Sequence, residues 1–240
     1  GWAIKPDISA PGDGIMSSVA TGRNEQRVYT IAELGDTSMA APHVTGAAAL
    51  LRSIHPDWTT DQVRTTLINT SIPAARVFDP TVTPVGPRPA TPGEGGPGRL
   101  ELAYAADPGA FLAPPKLNFG SVPEGATRTI TTTMTSASMT AESWTLTVQP
   151  AAGDATVRVS PARIDLPPGT TASYAVTIET AGSTGTDHWG RVVLGRGETD
   201  HVLRQTYFAY VDRPTDRRDV LLVDWTYGNT PDYASVYTST

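Results

Sequence analysis

The chain has 240 residues, a formal net charge of −6 and only 18% charged residues. An acidic balance without a basic run argues against nucleic-acid binding as the main role, and no apolar stretch reaches the roughly 18 residues that a membrane-spanning helix needs. The absence of cysteine excludes disulfides, thiolate metal sites and a cysteine nucleophile.

Residues 4–15, Ile4-Lys5-Pro6-Asp7-Ile8-Ser9-Ala10-Pro11-Gly12-Asp13-Gly14-Ile15, hold two prolines and two glycines and read as extended, turning backbone. Residues 16–34 read as a hairpin-like or loop excursion. A helix follows. Thr37 is its expected N-cap, with Ser38 as the first helical residue. Ala41, Val44, Ala48 and Leu51 have helical spacing, and Ala40, Ala47, Leu50 and Ile54 widen that face, so the helix is expected to be buried almost all round. Pro42 has no N–H to give to the Ser38 carbonyl, which predicts a distorted first turn.

A second helix is signalled by a capping box, with Thr59 as N-cap and Gln62 three residues on. Trp58 and Val63 stand at the positions of a hydrophobic staple, and the apolar face runs through Leu67 and Ile68 to about Thr70. Asn69-Thr70-Ser71 fits a glycosylation sequon, read here as chance. Residues 83–99 contain five prolines and five glycines, a density at which no regular element is expected.

From residue 113 the pattern changes to period two. Ile130, Thr132 and Met134 alternate with polar neighbours, as do Trp144, Leu146 and Val148, and Tyr174, Val176 and Ile178. Turn signals about every ten residues predict an antiparallel β-sandwich over residues 113–213. Asp219-Val220-Leu221-Leu222-Val223-Asp224 reads as a buried parallel strand, the expected start of a further α/β domain over residues 217–240.

Four stretches carry a family resemblance. Gly35-Asp36-Thr37-Ser38-Met39-Ala40-Ala41-Pro42-His43 resembles the nucleophile segment of the subtilisin-like serine peptidases, the subtilases. Lys5-Pro6-Asp7-Ile8-Ser9-Ala10-Pro11-Gly12 resembles the segment that precedes it there. The order from His55-Pro56-Asp57-Trp58 to Leu67-Ile68-Asn69-Thr70, and Gly98-Arg99-Leu100-Glu101-Leu102-Ala103, follow the same family. The resemblance implies that residues 1–107 are the C-terminal part of an α/β subtilase catalytic domain and that Ser38 is its catalytic nucleophile. Leu117-Asn118-Phe119-Gly120-Ser121-Val122-Pro123 resembles the first strand of the fibronectin type III-like or immunoglobulin-like modules appended to large subtilases. The implied fold is thus an α/β part, an all-β antiparallel sandwich and the start of another α/β domain. The opening Gly1-Trp2-Ala3 fits a fragment of a larger protein.

A serine hydroxyl needs a base to take its proton and an acid to orient that base. His43 lies five residues past Ser38, about 140° round a helix axis, and is expected to be a buried structural histidine. His55 stands at the far helix end, and His188 and His201 are expected on the sandwich surface or in turns. The resemblance places the triad Asp and His, and the oxyanion Asn, upstream of this chain. Its implied partners are therefore a protein or peptide substrate and the upstream part of its own catalytic domain, with an extracellular or cell-surface location and a bacterial source. No cofactor is expected, and no dense acidic loop identifies the structural calcium that the family often binds.

The family pattern has Gly where this chain has Asp36. An inactive, subtilase-derived scaffold is therefore the main alternative to an active parent. A cell-surface adhesion or carbohydrate-binding module is the third reading, and it predicts an exposed aromatic platform drawn from Trp144, Trp189, Tyr207 and Tyr210.

Overall fold

The computed structural model describes residues 4–22, 27–73, 76–79, 86–185 and 187–212. The strand expected over residues 219–224 and the domain expected over 217–240 lie outside them. The described chain is mostly β-strand with few helices.

Strands β1 (Ile15–Thr21) and β2 (Val28–Leu34) pair as an antiparallel hairpin. Met16, Val28, Tyr29 and Ile31 on it are exposed, Tyr29 to 72%. Helix α1 (Thr37–Ile54) follows, and α2 (Thr60–Asn69) packs against it. Ala47, Leu51, Val63, Leu67, Leu100 and Ala105 form the core of this first part. The expectation that α1 is buried almost all round is corrected: among its residues Ala47 and Leu51 are buried, while Leu50 and Ile54 are exposed. Among the described residues, packing partners reach only one stripe of the helix.

The capping box on α2 forms as read. The Thr59 hydroxyl accepts from the Gln62 N–H at 3.2 Å, and the Gln62 side chain accepts from the Thr59 N–H at 2.7 Å. Residues 83–99 hold more order than expected. Strand β4 (Gly86–Pro89) pairs with β3 (Arg76–Asp79), and a single helical turn, α3 (Pro92–Gly95), follows Thr91. Proline is tolerated here because β4 has no other partner strand and because the first helical position needs no N–H.

Eight further strands precede the last: β5 (Ala110–Ala113), β6 (Leu117–Pro123), β7 (Thr127–Ser136), β8 (Glu142–Ala152), β9 (Thr156–Ser160), β10 (Arg163–Leu166), β11 (Thr171–Glu179) and β12 (Asp187–Arg196). With β13 (Val202–Asp212) they form two sheets, ordered β10-β8-β12-β13-β6 and β5-β7-β11-β9. Alternation in β11 turns Tyr174, Val176 and Ile178 inward, where they share a core with Trp144, Leu146, Leu194 and Leu203. Each such side chain contributes on the order of 1.5–3 kcal/mol of burial. Two details differ from the sequence reading. The first strand starts at Ala110, and β6 pairs with β13 in parallel, because the chain enters the sheet edge from the linker at Pro114-Pro115.

The two parts are docked through buried polar contacts. Asn69, 2% exposed, donates from its amide to the carbonyls of Pro115 at 2.8 Å and Arg204 at 2.9 Å. Thr65 donates to the Leu112 carbonyl at 2.7 Å. Lys116 pairs with Asp7 and donates to the Ile4 carbonyl. Arg196 bridges Asp107 at 2.8 Å and Glu142 at 2.6 Å. Trp58 stacks on His55 with centroids 3.8 Å apart and meets the edge of Phe111 at 5.0 Å. A sequon asparagine held this way offers no amide to a glycan.

Candidate active site

The motifs singled out by sequence converge around α1. The Asp36 N–H donates to the Gly12 carbonyl at 2.7 Å, so the Ala10-Pro11-Gly12 bend supports the turn that leads into the helix. A Cβ on Gly12 would stand 2.8 Å from the Asp36 carbonyl oxygen and 3.1 Å from the Ala40 Cβ, which explains glycine there. Further back, Ser9 bonds to Gly98 and Leu100 through its backbone, and Ile72 bonds to Arg99 in both directions. Gly98 lies so close to Ile72 that a Cβ would be 2.5 Å from its carbonyl oxygen. The Lys-Pro-Asp, Asp-Thr-Ser and Gly-Arg-Leu stretches are one packed unit.

Ser38 is the second residue of α1, and its side chain is exposed. Its hydroxyl makes no hydrogen bond among the described residues. It stands at the positive end of the helix macrodipole, which favours a developing negative charge, although Asp36 accepts from the N–H groups of Ser38, Met39 and Ala40. Beside it, Ile15, Ser17, Met39, Pro42 and His43 line an open cleft of about 250 Å³.

The N-cap differs from the sequence reading. It is Asp36, not Thr37. Asp36 Oδ1 accepts from the Thr37 hydroxyl at 2.8 Å and from the Ser38 N–H at 3.4 Å. These bonds, the Thr37 hydroxyl first, hold its carboxyl below the ordinary aspartate range. A carboxylate acceptor outranks a threonine hydroxyl as a cap, and that ranking is the signal by which sequence could have found it. The consequence is chemical. An anion sits on the backbone N–H that an oxyanion beside Ser38 would use.

No described histidine reaches Ser38. His43 is exposed rather than buried, with Nδ1 at 2.8 Å from the Met39 carbonyl, on the open cleft that it shares with Ile15 and Ser17. His55 bonds the Ala106 carbonyl and His201 packs on Tyr104. His188 is buried, contrary to the surface position expected from sequence. It forms a Ser/His/Asp group away from Ser38: Nε2 lies 3.0 Å from Ser183 Oγ, and Ser183 donates to Asp154 at 2.7 Å. Proton accounting rules out a charge-relay role. His188 Nδ1 accepts from the Ala155 N–H at 3.1 Å, so Nε2 carries the hydrogen and has no lone pair for a serine proton. The group latches the loop before β12 onto the β8–β9 connection.

The adhesion platform is also absent from the candidates named. Trp144 and Tyr207 are fully buried, Trp189 is 8% exposed and Tyr210 is partly exposed, so the four do not form an exposed platform. No three His, Asp or Glu side chains among the described residues come together as metal ligands, and no described helix is long and apolar enough to cross a membrane.

Residues 1–106 match the family model described as Peptidase_S8, Subtilase family. Over these residues the chain is similar to the subtilases. Among curated relatives, subtilisin-like protease SBT1.3 of Arabidopsis thaliana is 33% identical over 112 residues, covering 44% of this chain and 14% of that protein. Minor extracellular protease Vpr of Bacillus subtilis is 39% identical over 71 residues, covering 30% of this chain and 9% of that protein. Subtilisin-like protease SBT2.6 of Arabidopsis thaliana is 28% identical over 251 residues, covering 82% of this chain and 30% of that protein. The chain spans less than a third of the length of these relatives, and the last similarity runs through the subtilase segment into the sandwich.

Proposed function

We propose that Ser38 is the nucleophile of a secreted subtilisin-like serine endopeptidase of which this chain is part. The observation that carries the reading is the free, exposed hydroxyl at the start of α1, in a chain whose first 106 residues match the subtilases. In the complete active site a histidine, oriented by an aspartate, takes the Ser38 proton. Ser38 Oγ attacks the scissile carbonyl and expels the amine, and water releases the acyl-enzyme. Those partners come from an upstream part of the same catalytic domain. Exposed apolar side chains available to it are Met16, Tyr29 and Ile31 on the hairpin and Leu50 and Ile54 on α1.

A second reading rests on Asp36. Its carboxylate bonds the Ser38 N–H and opposes a negative charge growing beside it, so the parent is a subtilase-derived scaffold with suppressed acylation. One experiment separates the two. A fluorophosphonate probe is applied to the complete parent protein and to its Ser38→Ala and Asp36→Gly variants. Labelling of the parent that Ser38→Ala removes supports the peptidase. An unlabelled parent with intact upstream residues rejects it, and labelling recovered in Asp36→Gly then identifies the carboxylate as the cause.

A further inference from the structure

A cleft of about 490 Å³ lies between the β3–β4 end of the subtilase segment and the outer face of the sandwich sheet. Its walls are Pro73 and Pro89 on one side and Ala151, Ala152 and Trp189 on the other, with Arg191 opening onto it. The wall on the sandwich side is shaped by a bulge. Trp189 pairs with Ala152 and Gly190 with Pro150, which leaves Ala151 without a cross-strand partner. Bulges bend a strand and re-aim the side chains beside them.

Among the described residues, the cleft holds one cation without a counterion. Arg88 also lines it, but Glu94 neutralises Arg88 through two bonds of 2.8 and 2.7 Å. Arg191 has no such partner. It makes no ion pair or side-chain hydrogen bond among the described residues, and its Nε is covered and unbonded. Its guanidinium carbon stands 6.0 Å from the Trp189 ring centroid. Burial lowers its pKa, and the nearby Arg204 lowers it further. Arg204 is likewise half-buried, with an unbonded Nη1. Folded proteins pair a charge that is withdrawn from water, and here the described chain supplies no acid.

We propose that this cleft binds a carboxylate carried on an apolar body, with Arg191 as the anion receptor and Trp189 and the two prolines as the apolar walls. A single unpaired guanidinium suits a monoanion, and its planar fork matches a carboxylate. The volume accommodates a few residues of peptide or a small organic acid. The site does not depend on Ser38.

The test is calorimetric titration of the chain with three probes: acetyl-Ala-Ala-Leu with a free carboxyl end, the same peptide as its amide, and isovalerate. The free-acid peptide is expected to bind at least tenfold more tightly than the amide and to raise the melting temperature. Binding of the peptide acid without isovalerate identifies a peptide end as the source, and binding of both identifies a free organic acid. Arg191→Gln is expected to abolish binding while leaving unliganded stability equal or higher, because it removes an uncompensated charge. Trp189→Leu is expected to weaken binding with the charge intact. Equal affinity for acid and amide, no binding of either acid, or undiminished binding to Arg191→Gln overturns the proposal.

Discussion

The contact between subtilase segment and sandwich makes its sharpest prediction at Asn69. Both amide hydrogens are used, on the Pro115 and Arg204 carbonyls, and Oδ1 lies 2.9 Å from the Thr65 hydroxyl. Asn69→Ala removes two donors and leaves buried acceptors facing a small void. At about 1 kcal/mol for each lost bond, plus the cost of unpaired groups, the loss is about 2–4 kcal/mol. Asn69→Asp keeps the shape but replaces the two donors by an oxygen, so a buried carboxylate faces two carbonyl oxygens. Its expected cost at pH 8 is about 3 kcal/mol or more. Burial and carbonyl oxygens raise the folded pKa of that new acid above its unfolded value. The folded state then binds more protons in the window between them, and stability falls as pH rises through it. Urea unfolding of both variants at pH 5 and pH 8 measures this. Asn69→Asp is expected to recover part of its loss at pH 5, because a protonated acid regains one donor, while Asn69→Ala stays parallel to the parent. Near-parental stability of Asn69→Asp at pH 8 would falsify the docking argument.

Three other outcomes are expected. Glu142, half-buried against Arg196, has its pKa held down to about 2 by the Arg196 hydrogen bond; stability from the pair is complete above the unfolded carboxylate range and lost as pH falls from about 4.5 toward 2, about 1–2 kcal/mol after solvent screening, and an acid titration of unfolding should flatten in Arg196→Met. Gly190→Ala places a Cβ 2.5 Å from the Tyr207 hydroxyl and close to the Gln149 carbonyl, an overpacking expected to cost about 1–3 kcal/mol in denaturant; unchanged stability would show that the bulge yields freely. Gln205→Leu removes the buried acceptor of the Tyr174 hydroxyl, 2.6 Å away, and the donor to the Pro114 carbonyl. It is expected to destabilise by about 2–4 kcal/mol, with Tyr174→Phe recovering part of the loss in the double variant.

What sequence made legible was local. The Thr59 capping box and the period-two strands depend on neighbours within a few residues and form as read, whereas of the face read on α1 only Ala47 and Leu51 are buried. The subtilase motifs were legible as strings, and the structure adds that they pack on one another. The unread features depend on distant partners. Asn69 reaches Pro115 46 residues away and Arg204 135 residues away, and no local pattern marks it as more than a helix end. Gln205 and His188 are polar residues in strands whose alternation describes size and polarity but not pairing. The order in residues 86–95 was masked by prolines that sit where their missing N–H costs nothing.

The contacts also form a continuous path from the sandwich to the candidate nucleophile. Lys116, nearly buried, pairs with Asp7. Burial alone would raise the Asp7 carboxyl, but hydrogen bonds from Lys116 and Lys5 outweigh it and lower the pKa. Lys116 is itself lowered by burial, which the pair does not fully offset. Five residues on, the Gly12 carbonyl receives the Asp36 N–H, and Asp36 caps the helix that begins beside Ser38. A module docked by buried hydrogen bonds anchors one end of this path. On the proposed reading of Ser38, the turn at the other end carries Asp36, whose carboxylate opposes acylation there.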